Sequence, residues 1–359
     1  MAGIAFSKGQ EVHLLCNSSV NCDTIAVNET TIIATDTRSM SEAEAVAETR
    51  RIISNFFTFH SSLFTKASLA SLFKKTDSAL RGHVVAELTA LMEATGCQRA
   101  VYLPANPSKG RTIKNGIYHI NNVPIHETAF SYDPEFPAKT SVLRERFPDA
   151  EAKGIIMPDA EREEDIRKVV AKYNDGKTLF AGAADLFAAV LGDHGDGSDD
   201  PFFTENGITQ NCPHDHFKSS TLILCGSTQS KPLDLDIPVA AMPREVYDGS
   251  EDISIWNTNA YQEKHSLILT IPYTHRTGKT VAVHLRTMMA RKAKELVTEH
   301  CPQHLIIEGG ATAWATLQAL GWTQFDITAQ LAPGVVQMSA TNGTLVTLKP
   351  GSYPWGTML

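Results

Sequence analysis

The sequence predicts an α/β protein of two domains, each a mostly parallel sheet flanked by helices, with a cleft between them. Three observations carry this. Short apolar runs alternate with longer amphipathic stretches, the rhythm of βαβ units. The composition breaks sharply at Gly192-Asp193-His194-Gly195-Asp196-Gly197-Ser198-Asp199-Asp200-Pro201, and periodicity resumes only at residue 219. In both halves, apolar runs end in polar or glycine-rich turns that lead into helices, and ligands of open α/β sheets sit outside the carboxyl ends of strands. The division is therefore 1–192 for the first domain, 193–218 for a linker and 219–359 for the second domain.

With 359 residues, 42% hydrophobic and 20% charged, the chain can bury two cores. A net charge of −8 without a basic stripe argues against nucleic acid as a partner. No apolar run approaches the ~20 residues of a membrane span, and no secretory leader is evident, so a cytoplasmic protein without a membrane partner is expected. The six cysteines, Cys16, Cys22, Cys97, Cys212, Cys225 and Cys301, show no CxxC spacing and read as reduced thiols. Cys212-x-His214-x-His216 matches no standard zinc spacing, so no metal-ligating residues are assigned.

Along the chain, 2–8 reads as a helix closed by Gly9, 11–16 as a strand, and 31–35 as a strand ending in Asp36-Thr37-Arg38. Ser41-Glu42-Ala43-Glu44 is a capping box opening a helix towards residue 57. The central stretch is Lys74-Lys75-Thr76-Asp77-Ser78-Ala79-Leu80-Arg81-Gly82-His83, between a strand at 69–73 and a helix at 84–92 that stops at Gly96. Asp77 can cap that helix and pair with Arg81 four residues on, or the cluster can hold a small anionic, hydroxylated ligand. Arg38 reads equally as a surface cation or as a ligand contact.

A strand at 100–103 leads into Pro104-Ala105-Asn106-Pro107-Ser108-Lys109-Gly110-Arg111-Thr112, which Pro, Asn and Gly force into a loop. A hairpin follows, with 117–120 and 123–125 flanking Asn121-Asn122, and the chain runs on in extended form through Asp133-Pro134. Strands at 154–157 and 178–182 alternate with helices at 160–173 and 185–191.

The second domain opens with a strand at 221–225 and the turn Gly226-Ser227-Thr228-Gln229-Ser230, whose small hydroxylated residues suit a phosphate or serve as an ordinary turn. A strand at 266–271 precedes a long helix at 281–300 with basic residues on its solvent face. A strand at 304–308 then runs into Gly309-Gly310-Ala311-Thr312 and directly into a helix. Paired glycines let backbone amides approach an anion, or simply make the turn tight. The run is neither GxGxxG nor GxxxxGK[ST], which disfavours a dehydrogenase and a Walker-type site. Leu331-Ala332-Pro333-Gly334-Val335 and 345–353, containing Lys349-Pro350-Gly351-Ser352-Tyr353, complete the domain.

Taken together, Lys74 to His83, the Gly110-Arg111-Thr112 loop, the Asp133-Pro134 segment, the Gly-Ser-Thr and Gly-Gly turns and Ala332-Pro333-Gly334-Val335 resemble, in order, the motifs of the four-carbon acid sugar kinases. Members of that family, once catalogued as a domain of unknown function, phosphorylate threonate, erythronate or their 3-oxo relatives. The resemblance implies an ATP-dependent sugar-acid kinase using Mg2+, with a sugar-acid-binding first domain and a nucleotide-binding second domain. Asp77 and Arg81 would be catalytic. Arg38, Lys75, Ser78, Gly82 and Arg111 would bind substrate. Ser227, Gly309, Gly310, Ala311, Thr312 and Gly351 would bind the nucleotide. A small-molecule sugar acid and ATP are the partners implied, with a homodimer left open.

Two departures from the family pattern bear on function. The chain picks up at Ala2-Gly3, just beyond the family's opening Asp-Asp-x-Thr-Gly-Ala turn, which suggests a truncated start. Ala311 stands where a Glu is common. Both motivate the alternative of a sugar-acid or nucleotide-binding protein without transfer, or a truncated inactive kinase.

Overall fold

The computed structural model describes residues 1–16, 30–60, 72–133, 136–192, 220–226, 233, 235–273, 276 and 278–351. The expected linker and Ser227 lie outside the described residues. In chain order the elements begin with α1 (Ala2–Ser7), β1 (Val12–Cys16), β2 (Thr30–Ala34), α2 (Glu42–His60), β3 (Phe73–Lys75), α3 (Val84–Thr95) and β4 (Arg99–Leu103). The hairpin strands β5 (Arg111–Lys114), β6 (Ile117–Ile120) and β7 (Val123–Pro124) follow, then α4 (Leu143–Arg146), β8 (Ile155–Ile156), α5 (Glu163–Tyr173), β9 (Thr178–Gly182) and α6 (Ala184–Leu191). Next come β10 (Thr221–Cys225), β11 (Val239–Ala241), α7 (Arg244–Asp248), α8 (Ala260–Lys264), β12 (Ser266–Thr270), α9 (Lys279–His300) and β13 (His304–Glu308). The chain ends with α10 (Gly310–Leu320), β14 (Gln324–Ala332), β15 (Val335–Ala340) and β16 (Leu345–Lys349).

The chain divides into two compact units, both α/β. The first unit is built on an all-parallel sheet in the order β3-β9-β4-β8. β9 is buried throughout, as expected of a strand covered on both faces. The small residues of β9 are required: a Cβ at Gly182 would lie 2.1 Å from the Leu103 carbonyl oxygen. A three-stranded antiparallel sheet, β5-β6-β7, adds Ile113 and Tyr118 to the core, and Ile125 follows directly after β7, each of the three fully buried.

The second unit holds a nine-stranded sheet in the order β11-β12-β10-β13-β16-β15-β14-β1-β2. Its first five strands run parallel, and Ile223, Ile268 and Ile306 form a buried row across them. β14, β15 and β16 are an antiparallel meander that the apolar pattern did not announce. Ala332 and Val335 pair across Pro333-Gly334, and Gly334 has φ 86°, so Pro-Gly makes the two-residue turn that demands a positive φ.

Several expectations change in detail. Among the described residues, 2–16 and 30–34 group with the second unit, whereas the sequence reading gave 1–192 to the first. β1 pairs antiparallel with β14, and the His13 Nδ1 lies 2.6 Å from Asp326 Oδ1 across that pairing. A five-residue apolar run announces a strand but not its sheet. β3 runs on past Phe73 to Lys75, while residues 69–71 of the expected strand lie outside the described residues; Lys74 bonds Glu87 of α3, an acceptor shared with Thr37 Oγ1 at 2.9 Å. Arg111 lies on a strand, not in a loop. α5 starts at Glu163, since Ala160 bridges to Ile113 and Asp165 accepts the Arg162 N–H at 3.0 Å. Lys292 of α9 is buried and bonded to Glu295 at 2.6 Å, so not every basic residue of that helix faces solvent.

Candidate functional site

In the first unit, β3 delivers its carboxyl end to the central turn, and the Thr76 N–H still bonds the Gly182 carbonyl at 3.0 Å. The chain then leaves the sheet. Asp77 Oδ2 accepts the N–H of Ala79 at 2.9 Å and of Arg81 at 3.4 Å, so the carboxylate organises its own turn. It does not cap α3, whose N-cap is His83. Leu80 takes φ 62° and Gly82 φ 98°, the left-handed backbone that tightens the turn.

Asp77 is the hub of the charges. Arg81 grips it in a bidentate pair, with Nε and Nη2 each at 3.0 Å. Arg38 Nη1 stands 3.2 Å from it. Arg81 also reaches Asp133 at 3.2 Å, and its guanidinium lies 5.6 Å from the Phe130 ring centre. Arg38 belongs to a 3-10 turn, Thr37–Ser39, anchored through Thr37 to Glu87. Its stem passes 3.8 Å from the Cβ position of Gly82. Ser78 accepts from Arg111 Nη1 at 2.7 Å, and the Ser78 carbonyl accepts from the Tyr118 hydroxyl. Asp77, Ser78, Arg81, Gly82, Arg38 and Arg111 thus meet around one turn.

Electrostatics follow from this packing. Burial pushes the Asp77 carboxyl upward, but the hydrogen bonds and charge of Arg81, the Ala79 N–H and Lys75 outweigh it and hold the pKa at about 2. Desolvation lowers the Lys75 ammonium, with Arg38, Arg81 and Lys74 adding repulsion against the pull of Asp77. Arg81 pairs with two carboxylates, so most of its donors are already engaged. Arg111 differs: its Nε is buried with no partner among the described residues.

Sequence reasoning missed Arg146. From α4 its guanidinium donates to the Leu80 carbonyl from Nε at 3.3 Å and Nη2 at 3.1 Å, and to the Pro137 carbonyl at 3.1 Å. It clamps the strained residue of the turn. Only the left-handed Leu80 reveals the need for such a clamp, and no sequence pattern marks it.

The second unit presents a site of another kind. β13 ends at Glu308, Gly309 takes φ 95°, and α10 begins at Gly310 without a side-chain cap or an acidic residue in its first turn. The Cβ position of Gly310 has no atom within 4 Å, which leaves open space for a ligand. Thr312 is buried; a Cβ on Gly226 would fall 2.0 Å from its Oγ1, so Gly226 lets the β10 turn pack on α10. Gly309 N–H donates to the Lys349 carbonyl at 2.8 Å, tying the paired glycines to the residue two before Gly351. Gly309, Gly310, Ala311 and Thr312 therefore form one turn, with Gly226 against it.

Comparison with known proteins matches both halves. A family model described as a sugar-binding N-terminal domain matches residues 3–153, and one described as a nucleotide-binding C-terminal domain matches 240–353. D-threonate kinase of Salmonella typhimurium is 32% identical over 148 residues, covering 33% of this chain and 35% of that protein. D-threonate kinase of Bordetella bronchiseptica is 32% identical over 114 residues, 32% of this chain and 26% of that one. The chain thus matches about a third or less of the length of these two relatives. 3-Oxo-tetronate kinase of Haemophilus influenzae is 24% identical over 316 residues, covering 77% of this chain and 76% of that one. The fold is shared with a solved Haemophilus influenzae protein, TM-score 0.64 at 18% identity, covering 98% of this chain and 93% of that one. With a sugar-binding and a nucleotide-binding domain in order, and relatives that are kinases, the chain belongs to the four-carbon acid sugar kinase family.

Proposed function

We propose that this chain transfers the γ-phosphoryl group of Mg-ATP to a hydroxyl of a four-carbon sugar acid, of the threonate, erythronate or 3-oxo-tetronate class. The supporting observation is the turn 77–82, where Asp77 is ringed by Arg38, Arg81 and the ammonium of Lys75, beside an Arg111 whose buried Nε has no partner among the described residues. Such a site suits a short anion that also offers hydroxyls. Arg38, Lys75 and Arg111 hold the ligand carboxylate, with Ser78 orienting Arg111 and Gly82 supplying the positive φ that tightens the turn. Arg81 fixes Asp77 and adds its remaining donors.

Asp77 accepts the hydrogen bond of the reacting hydroxyl and aims it. A carboxyl held at about 2 is a weak base near neutral pH, so its contribution is orientation rather than strong proton abstraction. Positioning and charge stabilisation are what phosphoryl transfer demands of a protein.

The glycine turn of the second unit suits a triphosphate: the Cβ position of Gly310 is open at the uncapped N-terminus of α10, where the backbone from Gly309 to Thr312 would cradle phosphates, and Gly351 and Ser227 complete the nucleotide contacts. Mg-ATP, when bound, supplies the phosphoryl group and neutralises its charge. Among the described residues no cluster of three or more His, Cys, Asp or Glu could hold a metal, so phosphate oxygens and water would be the main ligands of Mg2+.

The test is ADP release from Mg-ATP against D- and L-threonate, D- and L-erythronate and 3-oxo-tetronates. Turnover that requires one acid supports the kinase. A second reading, binding without transfer, is favoured by the absence of any acidic residue in the first turn of α10, where Ala311 stands. ATP binding without ADP release on every acid would select it.

A further inference from the structure

The two glycine segments of the second unit are joined underneath by a buried ion pair. Glu308 is the last residue of β13 and Lys349 the last of β16, directly opposite each other in the parallel ladder. Lys349 Nζ bonds Glu308 Oε1, and the two residues are 2% and 0% exposed respectively. The ammonium also donates to the Pro350 carbonyl at 3.2 Å, while Gly309 N–H donates back to the Lys349 carbonyl at 2.8 Å. Cys225 at the end of β10 is the next residue in the row, its thiol pushed up to about 12 by burial and the Glu308 carboxylate.

A buried ion pair rarely adds net stability over well-packed apolar residues, so stability does not explain its place here. Geometry does. The pair sits one residue before Gly309 and two before Gly351, and its bonds fix the carboxyl ends of both strands relative to each other. We infer that Glu308 and Lys349 are positioning residues, which set the Gly309–Gly310 turn and the Pro350–Gly351 turn at the separation that a triphosphate requires. This rests on the nucleotide reading of the second unit. Neither side chain needs to touch the ligand. Shifting one turn against the other by a fraction of an ångström would misalign the amides.

The experiment measures the dissociation constant of Mg-ATP by calorimetry and the melting temperature, on the full chain. Glu308→Gln leaves a buried ammonium without its counter-ion and should lower the melting temperature. The apolar pair Glu308→Leu with Lys349→Met should restore it, yet leave the ATP dissociation constant raised roughly 10–100-fold, the scale of a misplaced binding group. Sugar-acid affinity should stay at the wild-type value. Should the apolar pair fail to fold, the exchanged pair Glu308→Lys with Lys349→Glu keeps opposite charges but loses the bond to Pro350, and should show the same weakened ATP binding. A folded double variant that binds ATP as the wild type does would overturn the inference. A wild-type chain that binds no Mg-ATP, with sugar-acid binding intact, would overturn the nucleotide reading and the inference with it.

Discussion

The two candidate sites use opposite means. The turn after β3 is built from side chains: a carboxylate at about 2, guanidinium groups on three separate segments, and a backbone strained at Leu80 to bring them together. The turn after β13 is built from backbone, with Gly226 where a Cβ would collide, Gly309 at a positive φ and Gly310 facing open space, and its charges buried beneath the surface. A side-chain site should separate binding from folding, because charges can be removed one at a time. At a backbone site a substitution in the turn itself should not, since the atoms that bind are those that make the turn; only the Glu308 and Lys349 pair beneath it, whose side chains do not bind, can move one without the other.

The largest effect should therefore come from the backbone site. Gly226→Ala puts a methyl group 2.0 Å from Thr312 Oγ1 and 2.7 Å from its Cβ. Overpacking of this kind costs ~1–3 kcal/mol or more. Melting temperature and ATP affinity should fall together; ATP binding lost at unchanged melting temperature would break the comparison.

Next comes Arg81→Ala, which strips the bidentate partner from Asp77, leaving it Arg38, and one partner from Asp133, carboxylates 14% and 15% exposed. Losing these charge-assisted contacts should cost about 2 kcal/mol, read by denaturant unfolding, and sugar-acid affinity should drop. Equal affinity in the variant would remove Arg81 from the site. This residue straddles the distinction, since it both binds and builds the turn.

Acid titration isolates Asp77. Its folded pKa of about 2 lies below the ordinary 3.8, so it stabilises the fold fully above about pH 4 and loses that contribution as pH falls through about 2. The depression corresponds to about 2 kcal/mol. Asp77→Asn should flatten the loss of stability between pH 4 and 2. For the same reason kcat/KM should show no inflexion between pH 5 and 7 from this carboxyl, and one that vanished in Asp77→Asn would restore it as a general base.

The contrast also explains what the sequence could convey. The βαβ rhythm, the capping box at Ser41 and Glu44, and the cluster at 74–83 were all legible, because local periodicity and residue type encode them; Ser41 and Glu44 indeed exchange hydrogen bonds at 2.9 Å and 3.4 Å. Pairing partners were not. β1 reads as a strand of the first domain, yet its partners are β2 and β14, more than 300 residues away in the case of Asp326. The clamp from Arg146 was invisible for a similar reason: it acts on a carbonyl, and every residue has one. The Glu308 and Lys349 pair needed the register of β13 and β16, which an apolar run does not state.

Arg38 gives the smallest effect on stability and the sharpest test of the comparison. Its side chain is 44% exposed and its contact with Asp77, at 3.2 Å, is a single hydrogen bond. An exposed pair of this kind contributes ~0–1 kcal/mol, so Arg38→Ala should unfold almost as the wild type does. A hydrogen bond to a charged ligand group is worth ~1.5–3 kcal/mol, so sugar-acid affinity should fall about tenfold or more in the same variant. ATP affinity should not move. If Arg38→Ala instead loses stability and keeps its affinity, Arg38 belongs to the scaffold of the turn, and the division between a site of side chains and a site of backbone fails at its most exposed member.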